Sequence, residues 1–138
     1  MTSHLEKKRH NNYNVNANYK QHTLHLGDFG IKALHSGRIP EAKLQCIVKS
    51  LNKKLKTVSK GCNPIKMWTF IFMNSTLTAL SPESRMGKGK GSVYTKFSHI
   101  KIGQIVFEFS NISLNQAMLV YKHLKNKFTF SIKLVKNE

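Results

Sequence analysis

The chain has 138 residues and a mass of 15.8 kDa, which suits one domain with a buried core and excludes a second independent domain. Its 23 Lys and Arg residues against 6 Asp and Glu residues give a net charge of +17. This charge predicts a polyanionic partner, and nucleic acid is favoured over an anionic membrane surface because phosphates convert the charge into affinity through counterion release. An apolar content of 40% excludes a wholly disordered basic protein. The longest apolar run, Met67 to Met73, is far shorter than the roughly 20 residues that span a bilayer.

The first 26 residues show almost no aliphatic periodicity. They contain five Asn between Asn11 and Asn18 and the basic run Lys7-Lys8-Arg9. This composition predicts an extended N-terminal tail over residues 1–26 and a single α+β domain over residues 27–138. The tail either stays solvated or becomes ordered between RNA helices, and the net charge favours the second alternative.

The next segment predicts a short strand or loop over Gly27 to Leu34, a turn at Ser36-Gly37 and a helix that begins at Pro40. The residues expected on the buried face of this helix are Leu44, Ile47, Val48, Leu51, Leu55 and Val58. The residues expected on its opposite face are Lys49, Lys53, Lys56 and Lys60. Since no acidic residue occurs between Glu41 and Glu83, the repulsion among these lysines is uncompensated. Phosphate contact is therefore favoured over a merely solvated face.

The second half of the chain predicts four strands and one helix. The strands are expected at Ile65 to Phe72, Val93 to His99, Gln104 to Phe109 and Phe128 to Val135. Trp68 is interpreted as a core residue, with a stacking platform for an unpaired base as the alternative. Ser113 is expected to cap a helix between the last two strands. The buried stripe expected on that helix is Leu114, Ala117, Met118, Tyr121 and Leu124. The predicted fold is a mainly antiparallel sheet packed with two helices.

The residue types that catalyse reactions or bind metals are present but not grouped as such chemistry requires. Cys46 and Cys62 lack CxxC spacing, which predicts buried free thiols in a reducing compartment. His22 and His25 have no second ligand pair at zinc-site spacing, so no metal or other cofactor is expected. The acidic residues occur singly, without the groupings that acid/base or nucleophilic chemistry requires. We therefore expect no enzymatic activity.

The segment between Leu80 and Val93 alternates Gly with Lys and predicts a flexible cationic loop. Gly allows the backbone to approach a ligand, and Arg85, Lys88 and Lys90 add charge, so phosphate is the expected target. A nucleotide-binding loop would need Ser or Thr after Lys90, where Gly91 stands, and an NTPase is disfavoured. The remaining alternative is a mobile surface loop.

This loop, Arg85-Met86-Gly87-Lys88-Gly89-Lys90-Gly91, resembles the signature loop of the bacterial and organellar L-sixteen family of large-subunit ribosomal proteins. Two further segments agree with the family in order and spacing. Gly27 to Leu34 with Gly37-Arg38-Ile39 resembles the opening motif, and Gly103 followed by Val106-Phe107-Glu108 resembles a later strand. The sequence just before the loop differs from the family pattern: Leu80-Ser81 occupy the positions at which the family usually has Lys-Pro.

The resemblance implies a structural constituent of the large subunit that binds its rRNA near the aminoacyl-tRNA site and the peptidyl transferase centre. It implies three partners, namely large-subunit rRNA, aminoacyl-site tRNA and neighbouring large-subunit proteins, without membrane insertion. The expected roles are subunit assembly and tRNA positioning. The candidate rRNA- and tRNA-binding residues are Arg38, Lys49, Lys53, Lys56, Lys60, Arg85, Met86, Gly87, Lys88, Gly89, Lys90 and Gly91.

The Asn and Lys bias, together with divergence from the family pattern, predicts a mitochondrial protein of the matrix that is encoded in the organelle. The alternative function is that of a stand-alone RNA-binding protein or RNA chaperone, which would use the same basic surface on many RNAs.

Overall fold

The computed structural model describes residues 7–9, 20–87 and 89–137, in which the chain forms seven strands and two helices. In chain order these are β1 (Phe29–Ala33), β2 (Gly37–Pro40), α1 (Glu41–Val58), β3 (Lys66–Thr69), β4 (Ser75–Ala79), β5 (Ser92–Ile100), β6 (Ile105–Ser110), α2 (Leu114–Lys125) and β7 (Ile132–Lys136). All strand pairs are antiparallel. The predicted α+β class is confirmed.

The larger sheet has the strand order β3-β6-β1-β7, and its centre forms the core. Side chains alternate along a strand, so Phe107 and Phe109 share one face of β6 while Glu108 points to the other. The two Phe side chains are fully buried within the apolar cluster that includes residues of both helices. The opposite face is covered by the segment before β1, where Leu24 packs against Gly30 so closely that a Cβ there would collide with it.

The smaller sheet has the strand order β2-β5-β4. Its central strand, β5, pairs with β2 from Gly37 to Pro40 and with β4 from Ser75 to Ala79. β4 and β5 therefore form a hairpin whose connection, residues 80–91, is the Gly/Lys loop.

The helix predicted from Pro40 is confirmed, with Pro40 as its extended N-cap residue. Ile47, Leu51 and Leu55 are its buried residues, as expected from their spacing. The remaining predicted core residues of this helix are half-buried: Leu44, Val48 and Val58.

The cap predicted for α2 is also confirmed, since Ser113 and Gln116 form a capping box. The predicted buried stripe is partly wrong, because Leu114 and Met118 are 57% and 42% exposed. The buried residues are Ala117, Val120 and Leu124, a face rotated by about 60° from the predicted one at 100° per residue. On this face of α2 a hydrogen bond joins the two helices: Gln116 Nε2 donates to the Val58 carbonyl at the end of α1 (3.1 Å).

Several strand predictions differ from the structure. Neither β2 nor β4 was expected, and only the first residue of β2, Gly37, belongs to the turn predicted at Ser36-Gly37. The strand predicted over Ile65 to Phe72 is shortened to β3, and beyond it only the Phe70 N–H still donates to β6, at the Val106 carbonyl (3.0 Å). Phe72 lies past this contact and is 69% exposed. Trp68, interpreted as a core residue, is half-buried on β3, which is an edge strand of the large sheet. The last strand begins at Ile132, while Phe128 and Phe130 reach the core from the preceding loop.

The cysteines are free, as predicted, but both are exposed and the expected burial is wrong. Cys46 lies on the outward face of α1, one turn before Lys49, and Cys62 lies in the turn after that helix. Of the predicted tail, residues 1–6 and 10–19 lie outside the described residues, and its extended character stays a prediction.

Candidate nucleic-acid interface

The Gly/Lys loop is the tip of the β4–β5 hairpin. Its base is set by the pairing of Ala79 with Ser92. Just after β4, the Ser84 N–H donates to the Ser81 carbonyl (3.0 Å) and closes a turn. The hydroxyl oxygens of Ser81 and Ser84 lie 2.6 Å apart. The hairpin therefore holds both ends of the loop, while residues 80–87, Gly89 and Lys90 are exposed.

Glycine is required at three positions of this loop. Gly87 and Gly89 have φ values of +89° and +91°, which side-chain-bearing residues rarely adopt. Gly91 packs against the end of β4, where an added Cβ would collide with the Ala79 carbonyl. The Gly pattern thus serves the backbone path of the loop, including its close return to β4.

The loop brings four of the predicted site residues around one cavity of about 250 Å³. Arg85, Gly89, Lys90 and Gly91 line it together with Ser81 and Ser84. Met86 is 96% exposed beside them. Lys88 lies outside the described residues. A third serine, Ser92, also lines the cavity. Cationic side chains, hydroxyl groups and backbone N–H groups are the groups that bind phosphate oxygens.

The predicted lysine face of α1 is present in part. Lys49, Lys53 and Lys56 are exposed and lie on one side of the helix, opposite its buried residues. Lys60 is exposed too, but it lies beyond the end of the helix at Val58, so it does not continue the row.

Arg38 is exposed on β2, with its guanidinium carbon 5.8 Å from the centroid of the Phe97 ring. Its partner across the sheet is His99. Burial, with the charge of Arg38 as a second cause, lowers the pKa of His99 below its ordinary value. His99 is therefore uncharged beside Arg38 at neutral pH.

Sequence reasoning missed one contributor to this surface, the basic run Lys7-Lys8-Arg9. Lys8 Nζ donates to the Lys90 carbonyl of the loop (2.9 Å), although the two residues are far apart in the sequence. The charge of the run was visible in the sequence, but its partner strand β4 was not predicted.

Within the described ranges, no group of three or more His, Cys, Asp or Glu residues could hold a metal ion. No helix in this part of the chain is long and apolar enough to cross a membrane.

Comparison with known proteins gives the family. The chain matches the model of ribosomal protein L16p/L10e over residues 2–135. It belongs to this family. Among its relatives, the large ribosomal subunit protein uL16m of Chondrus crispus is 38% identical over 126 residues, which cover 91% of each chain. The large ribosomal subunit protein uL16 of Sulfurovum sp. (strain NBC37-1) is 28% identical over 129 residues, 94% of this chain and 87% of the relative.

Membership of the L16p/L10e family makes this protein a structural component of the large ribosomal subunit, with rRNA and ribosomal proteins as partners in translation. The suffix of uL16m marks a mitochondrial form, and the predicted mitochondrial localisation is confirmed by this relative. The family resemblance seen in the Gly/Lys loop and its companion motifs is confirmed as well.

Proposed function

We propose that the protein binds large-subunit rRNA through the loop of residues 80–91 and the lysine face of α1, near the cleft that receives aminoacyl-tRNA and the peptidyl transferase centre. In this position it supports subunit assembly and the placement of tRNA. It contributes binding groups and no catalytic group.

The observation that carries this proposal is the construction of the hairpin tip. Arg85 and Lys90 flank a cavity bordered by Gly89 and Gly91, where the backbone carries no Cβ. A phosphate there meets two cations at close range. Hydrogen bonds that involve a charged group each contribute about 1.5–3 kcal/mol, roughly twice the neutral value.

The lysine face supports the same role through charge rather than shape. Lys49, Lys53 and Lys56 project from a helix whose opposite side is anchored in the core. Because the core holds the helix in place, these three lysines can contact the phosphates of an RNA backbone together without any bending of the helix. Lys is a point charge without the forked geometry of Arg, so we assign this face to positioning and not to base recognition.

The test is incorporation of loop variants into large subunits. We expect Arg85→Ala, and separately the double change Lys88→Ala with Lys90→Ala, to reduce affinity for rRNA by about tenfold to a hundredfold. Incorporation in competition with the unchanged protein falls accordingly. The melting temperature stays the same, because Arg85 and Lys90 are exposed and outside the core.

The matched control removes two charges from another surface, with Lys133→Ala and Lys136→Ala on β7, where both side chains are exposed. Normal incorporation of both loop variants, or equal defects in the control, would overturn the assignment of the loop. Recovery of the unchanged protein in light fractions on many RNAs would instead favour a free RNA-binding role.

A further inference from the structure

Tyr94 occupies an irregular part of β5, close to the base of the Gly/Lys loop. Two consecutive residues of β4, Leu77 and Thr78, pair with β5 at this point. Their partners are Thr95 and Val93, so Tyr94 between them is an extra residue that forms a β-bulge. β2 pairs with a later part of β5 and does not reach this residue. Bulges re-aim side chains and are frequent next to functional sites.

The side chain of Tyr94 is 78% exposed, which is unusual for an aromatic residue in a central strand. Aromatic residues in strands normally pack against cross-strand neighbours, and the bulge leaves Tyr94 without such a neighbour on β4. Much of the apolar surface of the ring therefore faces solvent. A planar partner laid on the ring would remove this surface from water and stack on its π system.

Tyr94 lies close to the cavity at the hairpin tip. Ser92, two residues before it, lines that cavity together with Arg85 and Lys90. A strand advances about 3.3 Å per residue, so Tyr94 is no more than about 7 Å from Ser92 along β5. A nucleotide joins an anionic phosphate to a planar aromatic base. The cationic cavity and the exposed ring match these two parts of an RNA strand.

The charge around Tyr94 favours RNA over a protein partner. Residues 80–96 contain four Lys and Arg residues and one acidic residue, Glu83. A base that stacks on the ring brings phosphates that complement this charge, whereas an apolar protein surface would leave it uncompensated. Stacking also tolerates any base, because every base has a π face.

We propose that Tyr94 is a stacking platform for an unpaired base of rRNA, next to the phosphate held by the Gly/Lys loop. The inference rests on the proposed function, because it assumes that the loop binds rRNA. It adds that the hairpin selects single-stranded RNA, since only an unpaired base can be splayed out onto the ring. The β-bulge is the feature of the fold that presents the ring.

The binding test compares Tyr94→Ala, Tyr94→Leu and Tyr94→Phe, in the full chain, on a transcript of mitochondrial large-subunit rRNA. We expect Tyr94→Ala to weaken binding by roughly tenfold, and Tyr94→Phe to restore it because the ring is kept. Tyr94→Leu keeps an apolar side chain without a ring and should bind nearly as weakly as Tyr94→Ala. The slope of log K against log salt stays the same in all three, because no phosphate contact is lost.

Phe72→Ala is the matched control, since it removes another exposed ring from the connection between β3 and β4. We expect it to bind like the unchanged protein, and melting curves establish that all variants are folded. Normal binding by Tyr94→Ala, equal binding by Tyr94→Leu and Tyr94→Phe, or an equal defect in the control would overturn the stacking role. The loop variants would still report on the proposed function. If the unchanged protein does not bind the transcript, the proposed function fails, and the stacking role fails with it.

A photocrosslink identifies what lies on the ring in the assembled subunit. Tyr94 is replaced by a phenylalanine that carries a diazirine, and large subunits that contain this variant are irradiated without tRNA and with tRNA in the aminoacyl site. We expect a crosslink to the same single-stranded segment of large-subunit rRNA under both conditions. A crosslink to a neighbouring ribosomal protein, or to tRNA alone, would overturn the proposal.

Discussion

At the scale of single residues, Glu108 has the most unusual environment. It is 1% exposed, and its carboxylate accepts backbone N–H groups from Leu26 (2.7 Å), Gly27 (2.9 Å) and His25 (3.2 Å). These bonds hold the segment before β1 across the outer face of the large sheet. The residue is one of those that support the family resemblance, but its role as an anchor could not be predicted, because the donors come from a segment with no recognisable pattern.

We expect Glu108→Gln to lower the free energy of unfolding by about 1–3 kcal/mol, since the charge that strengthens these hydrogen bonds is lost and an amide offers one acceptor oxygen where the carboxylate offers two. Urea denaturation measures this loss, and hydrogen exchange at residues 25–27 should accelerate with it. Glu83→Gln, at an exposed loop position, is the matched control and leaves both unchanged. Equal stability of the two variants would contradict the anchoring role.

His123 joins the two helices and makes stability depend on pH. Its Nε2 lies 3.2 Å from Ser50 Oγ, which also accepts a hydrogen bond from Lys127 Nζ (2.7 Å). Burial, followed by the charges of Lys127 and Lys54, lowers the pKa of His123. The unfolded chain therefore binds a proton at a higher pH than the folded one, and stability falls as the pH drops below the ordinary His value of about 6.5.

Denaturation curves between pH 8 and pH 5 (about 1.5 units on either side of that value) measure this dependence. His123→Gln keeps a hydrogen-bonding group without the titration, so its stability should fall less over the same range. His99 also has a lowered pKa and changes stability in the same direction. An identical pH profile for the variant and the unchanged protein would contradict the role of His123.

At the scale of the elements, the exposed lysine row of α1 has a measurable electrostatic signature. We expect changing Lys49, Lys53 and Lys56 to Gln to reduce the salt slope of rRNA binding by roughly one for each lost phosphate contact. The folded state should persist, because the buried side of the helix is untouched. The same number of changes at Lys66, Lys133 and Lys136, exposed on the large sheet, is the control. An unchanged slope would make the row a solvated face.

The elements that could be predicted from sequence are those with a strong local signal. α1 has a clear apolar period, and Ser113 with Gln116 forms a cap from neighbouring residues. β4 has the sequence Ser-Thr-Leu-Thr-Ala, whose small polar residues give little pattern, and it exists because β5 pairs with it. Similarly, the exposure of Leu114 depends on which face of α2 packs against α1. This packing is part of the tertiary structure and cannot be predicted from the apolar spacing within α2.

In the candidate site, too, local features could be predicted from the sequence and long-range contacts could not. The Gly/Lys loop is a contiguous motif, so its residues were predicted from the sequence alone. The docking of Lys8 and Arg9 on the hairpin depends on contacts between segments far apart in the chain, and nothing local to either segment indicates it.

At the scale of the whole molecule, the buried core and the cationic surfaces occupy different residues. The core lies between the large sheet and the helices, while the described residues of the loop and the lysine row of α1 are exposed. A net charge of +17 opposes compaction of an isolated chain, and rRNA relieves this repulsion in the subunit. Binding and folding can therefore be separated by substitution, which makes the account testable.

Directed hydroxyl-radical probing from the hairpin tip, in assembled large subunits, shows whether the Gly/Lys loop lies against rRNA. Cys46 and Cys62 are exposed and are replaced by Ser, and iron chelates are tethered either at Glu83→Cys in the loop or at Asn115→Cys on α2. We predict that the loop tether cleaves a few segments of large-subunit rRNA, and tRNA bound in the aminoacyl site, in a pattern that the α2 tether does not reproduce. Cleavage no greater than that from the protein without cysteine would contradict the placement of the loop against rRNA.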